Sequence, residues 1–102
     1  MRVKPGVNLT GLRPEIVLAL IVAQEVYRQF SAELVITSAL DGRHSATSLH
    51  YAGQAADLRT KHVKPELAQK IADTMSERLG DHYDVIYEGT HLHIEFQPRY
   101  IP

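Results

Sequence analysis

The sequence predicts an α+β domain, with two helices packed on one mainly antiparallel sheet. Three observations carry this. The elements legible in the hydrophobic pattern run helix, strand, strand, helix, strand, strand, which is not the alternation that builds a parallel βαβ sheet. The last two strand-like stretches are separated at Gly89, as in an antiparallel hairpin. The chain has 102 residues, 44% hydrophobic and 23% charged, so residues 1–102 are expected to form one domain around one core.

Residues 1–13 contain Pro5, Gly6 and Gly11 and read as an irregular lead-in. Pro14 suits the first turn of a helix, and Glu15 suits its positive end. Residues 15–30 then place Val17, Leu20, Ile21, Ala23, Val26 and Phe30 at helical spacing. Residues 32–38 (AELVITS) are β-branched and apolar, which predicts a buried strand. Residues 39–49, rich in Ser, Gly, Asp and Thr, predict a surface loop. Residues 53–60 (GQAADLRT) predict another strand. Pro65 opens a second helix that runs to Leu79 and stops at Gly80. Residues 82–88 and 90–96 are the hairpin strands, and residues 97–102 a tail.

Composition removes several function classes. Net charge is −1 and the pI is about 6.6, unlike the basic footprint of a nucleic-acid binder. With no cysteine, disulfides and thiolate metal sites are excluded, so any metal must be held by nitrogen and oxygen. The apolar run at residues 16–23 is too short to span a bilayer about 30 Å thick. No targeting segment is evident, and synthesis in the cytoplasm without a signal peptide is expected. Six histidines in so short a chain raise the question of a metal directly.

Two clusters bear on it. The first runs Ser48-Leu49-His50-Tyr51-Ala52-Gly53-Gln54-Ala55-Ala56-Asp57, and the second Glu88-Gly89-Thr90-His91-Leu92-His93-Ile94-Glu95-Phe96. In a strand, side chains alternate faces, so His91, His93 and Glu95 share one face and Leu92, Ile94 and Phe96 the other. The apolar set is expected to face the helices. In the first cluster Gly53 gives a turn its backbone freedom, and Ala55 and Ala56 let another element approach closely. His50 and Asp57 can then converge on one metal, with His93 as third ligand. Two nitrogens, one oxygen and an open position form the catalytic zinc arrangement. Water in that position has its pKa lowered toward about 7.

Ser48, His50, Gly53, Ala55 and Asp57 stand in the pattern S-x-H-x-x-G-x-A-x-D, followed downstream by Glu88 and His91-Leu92-His93. Over residues 35–98 this resembles the zinc D-Ala-D-Ala carboxypeptidase and endolysin family, whose metal framework is shared by the Hedgehog signalling domain. The short length is similar to small phage-encoded members. The resemblance implies a Hedgehog/DD-peptidase-like fold and Zn2+ held by His50, Asp57 and His93. It implies Glu88 as the general base that also protonates the leaving amine. It further implies that His91 stabilises the oxyanion or positions substrate, and that Arg43 steadies the scissile carbonyl or a substrate carboxylate. Ser48 is implied as a support within the ligand loop. Two departures are visible. The family's S-G-x-R loop stands here as Ser38-Ala39-Leu40-Asp41-Gly42-Arg43. Glu88 lies three residues before His91 rather than His93, so either histidine can be the third ligand, with the run H-L-H-I-E-F favouring His93.

The expected activity is hydrolysis of amide bonds in peptidoglycan stem peptides, of the D-Ala-D-Ala carboxypeptidase or L-Ala-D-Glu endopeptidase type. The expected partner is the stem peptide alone, without nucleic acid or membrane, for a monomer acting on the cell wall after phage-mediated release. The alternative is a non-catalytic zinc-containing binding module on the same scaffold. His44, His62 and His82 read as surface residues. Arg59 and Lys61 read as a strand end and a loop, and Glu95 as solvent-facing or as support for a ligand.

Overall fold

The computed structural model describes residues 1–39 and 53–98. Its elements are β1 (Arg2–Val3), α1 (Pro14–Gln29), β2 (Val35–Ser38), β3 (Ala55–Arg59), α2 (Pro65–Leu79), β4 (Tyr83–Tyr87) and β5 (His91–Phe96). The strands form one sheet in the order β1-β2-β3-β5-β4. Only β1 and β2 are parallel; every other neighbouring pair is antiparallel. The predicted α+β architecture is therefore present. Among the described helices none is long and apolar enough to cross a membrane.

The lead-in differs from expectation. Arg2–Val3 forms a short edge strand, with the Arg2 amide donating to the Leu34 carbonyl at 2.8 Å and the Lys4 amide to that of Ile36 at 2.9 Å. Two residues carry no readable period, so this strand exists because β2 offers it an edge.

Helix α1 begins as predicted, with proline in its first turn. Its buried set is Ile16, Ala19, Leu20, Ala23, Val26 and Tyr27. Val17 and Ile21, expected in the stripe, are about half exposed at 45% and 55%. The stretch is apolar nearly all round, so periodicity does not choose which side meets the sheet. Helix α2 matches its predicted bounds. Its polar face is better marked, and Ala68, Ile71, Ala72 and Met75 turn inward. Gly80, at φ +85°, ends it, and its amide donates to the Ser76 carbonyl at 3.0 Å.

The core lies between these helices and one face of the sheet. Ile36, Ala56, Leu58, Leu92 and Ile94 meet the helical set there, all fully buried. Each large aliphatic side chain so placed contributes about 1.5–3 kcal/mol. Tyr83 closes one end of the core: its ring packs on Phe96 with centroids 5.2 Å apart, and its hydroxyl donates to the Glu15 carbonyl at 2.9 Å.

Two glycines shape the approach to the open face. Gly53 has φ +73°, and a Cβ there would stand 2.5 Å from the Gly11 carbonyl oxygen. Its own carbonyl accepts from the Arg13 amide at 3.0 Å, so the chain entering β3 is docked on the turn that leads into α1. Gly89, at φ +90°, makes the hairpin turn, closed by the Glu88 amide donating to the His91 carbonyl at 2.9 Å.

Candidate metal and catalytic site

Alternation within β3 and β5 builds the site. Ala56 and Leu58 of β3 point into the core, which turns Asp57 and Arg59 to the opposite face. Leu92 and Ile94 of β5 do the same for His91, His93 and Glu95. The pairing then sets the neighbours: Asp57 stands opposite His93, Arg59 opposite His91, and Ala55 opposite Glu95. On the other side of β5, Ile86 of β4 stands opposite His93 and remains 48% exposed. The open face thus carries a polar row across two adjacent strands, bordered by one apolar side chain.

At its centre is His93. Its Nδ1 lies 2.8 Å from Asp57 Oδ1, and its Nε2 lies 2.9 Å from Glu95 Oε1. Gln97 Nε2 donates to the second oxygen of Glu95. The His93 side chain is 18% exposed and those of Asp57 and Glu95 are 16% exposed, so water screens these contacts only partly. The hydrogen bond to Asp57 is the main cause of a raised His93 pKa, opposed by burial and assisted by Glu95. Two carboxylates flanking one imidazole can hold it doubly protonated.

Once the Nδ1 proton is lost, the same arrangement offers a cation two donors. A nitrogen and an oxygen donor face each other at Nδ1, while Glu95 accepts from Nε2 and so directs the other ring nitrogen toward Asp57. A carboxylate behind a metal-binding histidine is a common support for zinc. Among the described residues no group of three His, Asp or Glu side chains stands in a metal-holding cluster. His50, the third donor expected from the sequence, lies outside the described residues, as do Arg43, His44 and Ser48.

The structure also brings Glu88 and His91 together. Glu88 follows β4 and His91 begins β5, and Glu88 Oε1 lies 3.6 Å from His91 Nε2. This is an ion-pair distance rather than a hydrogen bond. His91 Nδ1 lies 2.9 Å from the Thr90 hydroxyl. Glu88 is 46% exposed and accessible to a ligand on the open face. His91 and His93 are two residues apart on one strand, about 6.8 Å at the usual rise. Of the two histidines, it is His93 that meets Asp57. Of the remaining described histidines, His82 is exposed, and His62 Nε2 donates to the Glu33 carbonyl at 2.7 Å.

Two contributors were weakly marked in the sequence. Glu95 shares the His93 face by its spacing of two, which was the available signal. Thr37 was not singled out. A bulge between Ile36 and Ser38 shifts the β2 register against β3, and the Thr37 hydroxyl donates to the Asp57 carbonyl at 3.3 Å. No local sequence signal marks that bulge.

Comparison of the chain with models of known protein families, with curated proteins and with solved structures finds no match.

Proposed function

We propose that the protein is a zinc metallopeptidase that hydrolyses amide bonds in peptidoglycan stem peptides. The observation that carries this reading is the line Asp57, His93, Glu95 across β3 and β5, with His91 of β5 and Glu88 of the preceding hairpin turn at its end. The S-x-H-x-x-G-x-A-x-D pattern adds His50 as the third ligand. The meeting of His93 with Asp57 supports His93 rather than His91 in the metal set.

Bound zinc would supply Lewis-acid polarisation of the scissile carbonyl and activation of water. Asp57 and His93 would hold it, together with the His50 that the sequence pattern supplies. Glu95 accepts the Nε2 proton of His93 and keeps the ring turned toward Asp57. Glu88 takes a proton from the attacking water and delivers it to the departing amine. His91, beside Glu88, donates to the oxygen on which negative charge develops. Arg43 remains the sequence's candidate for a second contact to that oxygen or to a substrate carboxylate. Ile86 gives an apolar border against which a small side chain can rest.

The test is digestion of purified peptidoglycan, followed by mass analysis of the fragments. Soluble peptides should be released, release should stop with a chelator, and added zinc should restore it. Fragment masses distinguish D-Ala-D-Ala from L-Ala-D-Glu cleavage. Undigested wall, or digestion indifferent to the chelator, would overturn the reading.

A further inference from the structure

A cleft of about 480 Å³ adjoins the catalytic row, with His91 in its wall. Cations from two segments distant in sequence meet there: Lys4 just after β1, and Arg59 and Lys61 at the end of β3 and in the turn that follows. Thr37 of β2 and Thr90 add hydroxyls. Among the described residues no carboxylate lines it. Among the described residues, Arg2, Arg13 and Arg78 each sit within ion-pair distance of a glutamate, whereas Lys4, Arg59 and Lys61 have no such partner. In a chain of net charge −1, three cations around one concavity with no carboxylate partner among the described residues are a local excess of positive charge. Such a concavity concentrates anions, and its size is that of an ordinary ligand site.

Strand geometry relates the cleft to the site. Arg59 is two residues beyond Asp57 on β3, and His91 two residues before His93 on β5. Both steps run the same way along the sheet and span about 6.8 Å. An extended peptide covers that distance in about two residues. We propose that this cleft binds a carboxylate of the substrate peptide, carried one or two residues from the bond cut beside Asp57 and His93. Arg59 and Lys61 supply the charge and, with Lys4, the hydrogen-bond donors. The proposal rests on the peptidase reading and adds to it a preference for acidic peptides.

The test separates binding from cleavage. Calorimetry on the zinc-loaded Glu88→Gln chain compares a synthetic stem peptide bearing free carboxylates with the same peptide fully amidated. The acid form should bind roughly tenfold tighter or better at low salt, and the margin should shrink as salt is raised. Arg59→Gln with Lys61→Gln should abolish the margin while leaving the affinity for the amide unchanged; Lys61→Gln alone, at an exposed turn, should reduce it. Equal affinity for acid and amide, or binding of neither, overturns the proposal. Hydrolysis of both peptides by the unsubstituted protein is read separately. An acid preference without hydrolysis keeps the cleft and sinks the peptidase, and hydrolysis without preference does the reverse.

Discussion

Glu95→Gln should weaken zinc binding without unfolding the chain. Glu95 touches the proposed metal only through His93, so its effect measures how far that ring is held by what stands behind it. One carboxylate oxygen accepts from His93 Nε2 at 2.9 Å, and the other accepts from Gln97. A glutamine amide has one oxygen and one NH2 group. It can serve His93 or Gln97, and in either orientation one donor faces another. The negative charge that favours the Nε2 proton is lost as well. Both side chains are less than one-fifth exposed, so water replaces the contact only in part. Removing such an outer carboxylate typically lowers metal affinity about 10–100-fold, which is roughly 1.4–2.7 kcal/mol. The assay is competition for zinc against a coloured chelator at neutral pH, with circular dichroism as the control for folding. Glu77→Gln, on an exposed position of α2, should leave the affinity unchanged. Zinc affinity within twofold of the parent in the Glu95 variant would refute the role given to this carboxylate.

Other outcomes follow from single contacts. Glu88→Gln should lower kcat on stem peptides by about 10²–10⁴ while zinc content stays unchanged; full turnover would remove Glu88 from the mechanism. Gly53→Ala should cost roughly 2–4 kcal/mol, read by urea unfolding, because a Cβ meets the Gly11 carbonyl oxygen at 2.5 Å and φ is +73°. A loss below about 0.5 kcal/mol would mean that the docking of β3 on the entry to α1 is loose. Tyr27→Phe should cost about 1–2 kcal/mol, since the Tyr27 hydroxyl donates to the Arg59 carbonyl at 2.9 Å. Burial also raises the Tyr27 pKa above its ordinary value of 10.0, so the unfolded chain loses that proton first. Stability from this group is complete below pH 10 and falls as pH rises beyond it. Thermal melts across that range should show a steeper alkaline loss for the parent than for the Phe variant.

Much of this site was legible before any folding was considered. The alternation in His91-Leu92-His93-Ile94-Glu95-Phe96 assigns three polar side chains to one face whatever the strand pairs with. Pro65 and Gly80 bound α2 by local backbone chemistry alone. The helix of residues 14–29 was also legible as a helix, but its buried side was not. Ile16, Val17, Leu18, Leu20 and Ile21 crowd both faces, and the sheet selected Ile16 and Leu20 while leaving Val17, Leu18 and Ile21 outside.

What the sequence determined by itself is therefore what short-range rules control: strand alternation, proline starts, glycine stops and the kinds of donor available. The tertiary structure decided the register. Setting β3 against β5 put Asp57 rather than Arg59 opposite His93, and so separated a carboxylate–imidazole centre from a basic cleft. It also brought Lys4, through a two-residue edge strand, to the same cleft as Lys61. Register depends on pairing and packing between segments far apart in sequence, and a slip of one residue would carry each side chain to the opposite face.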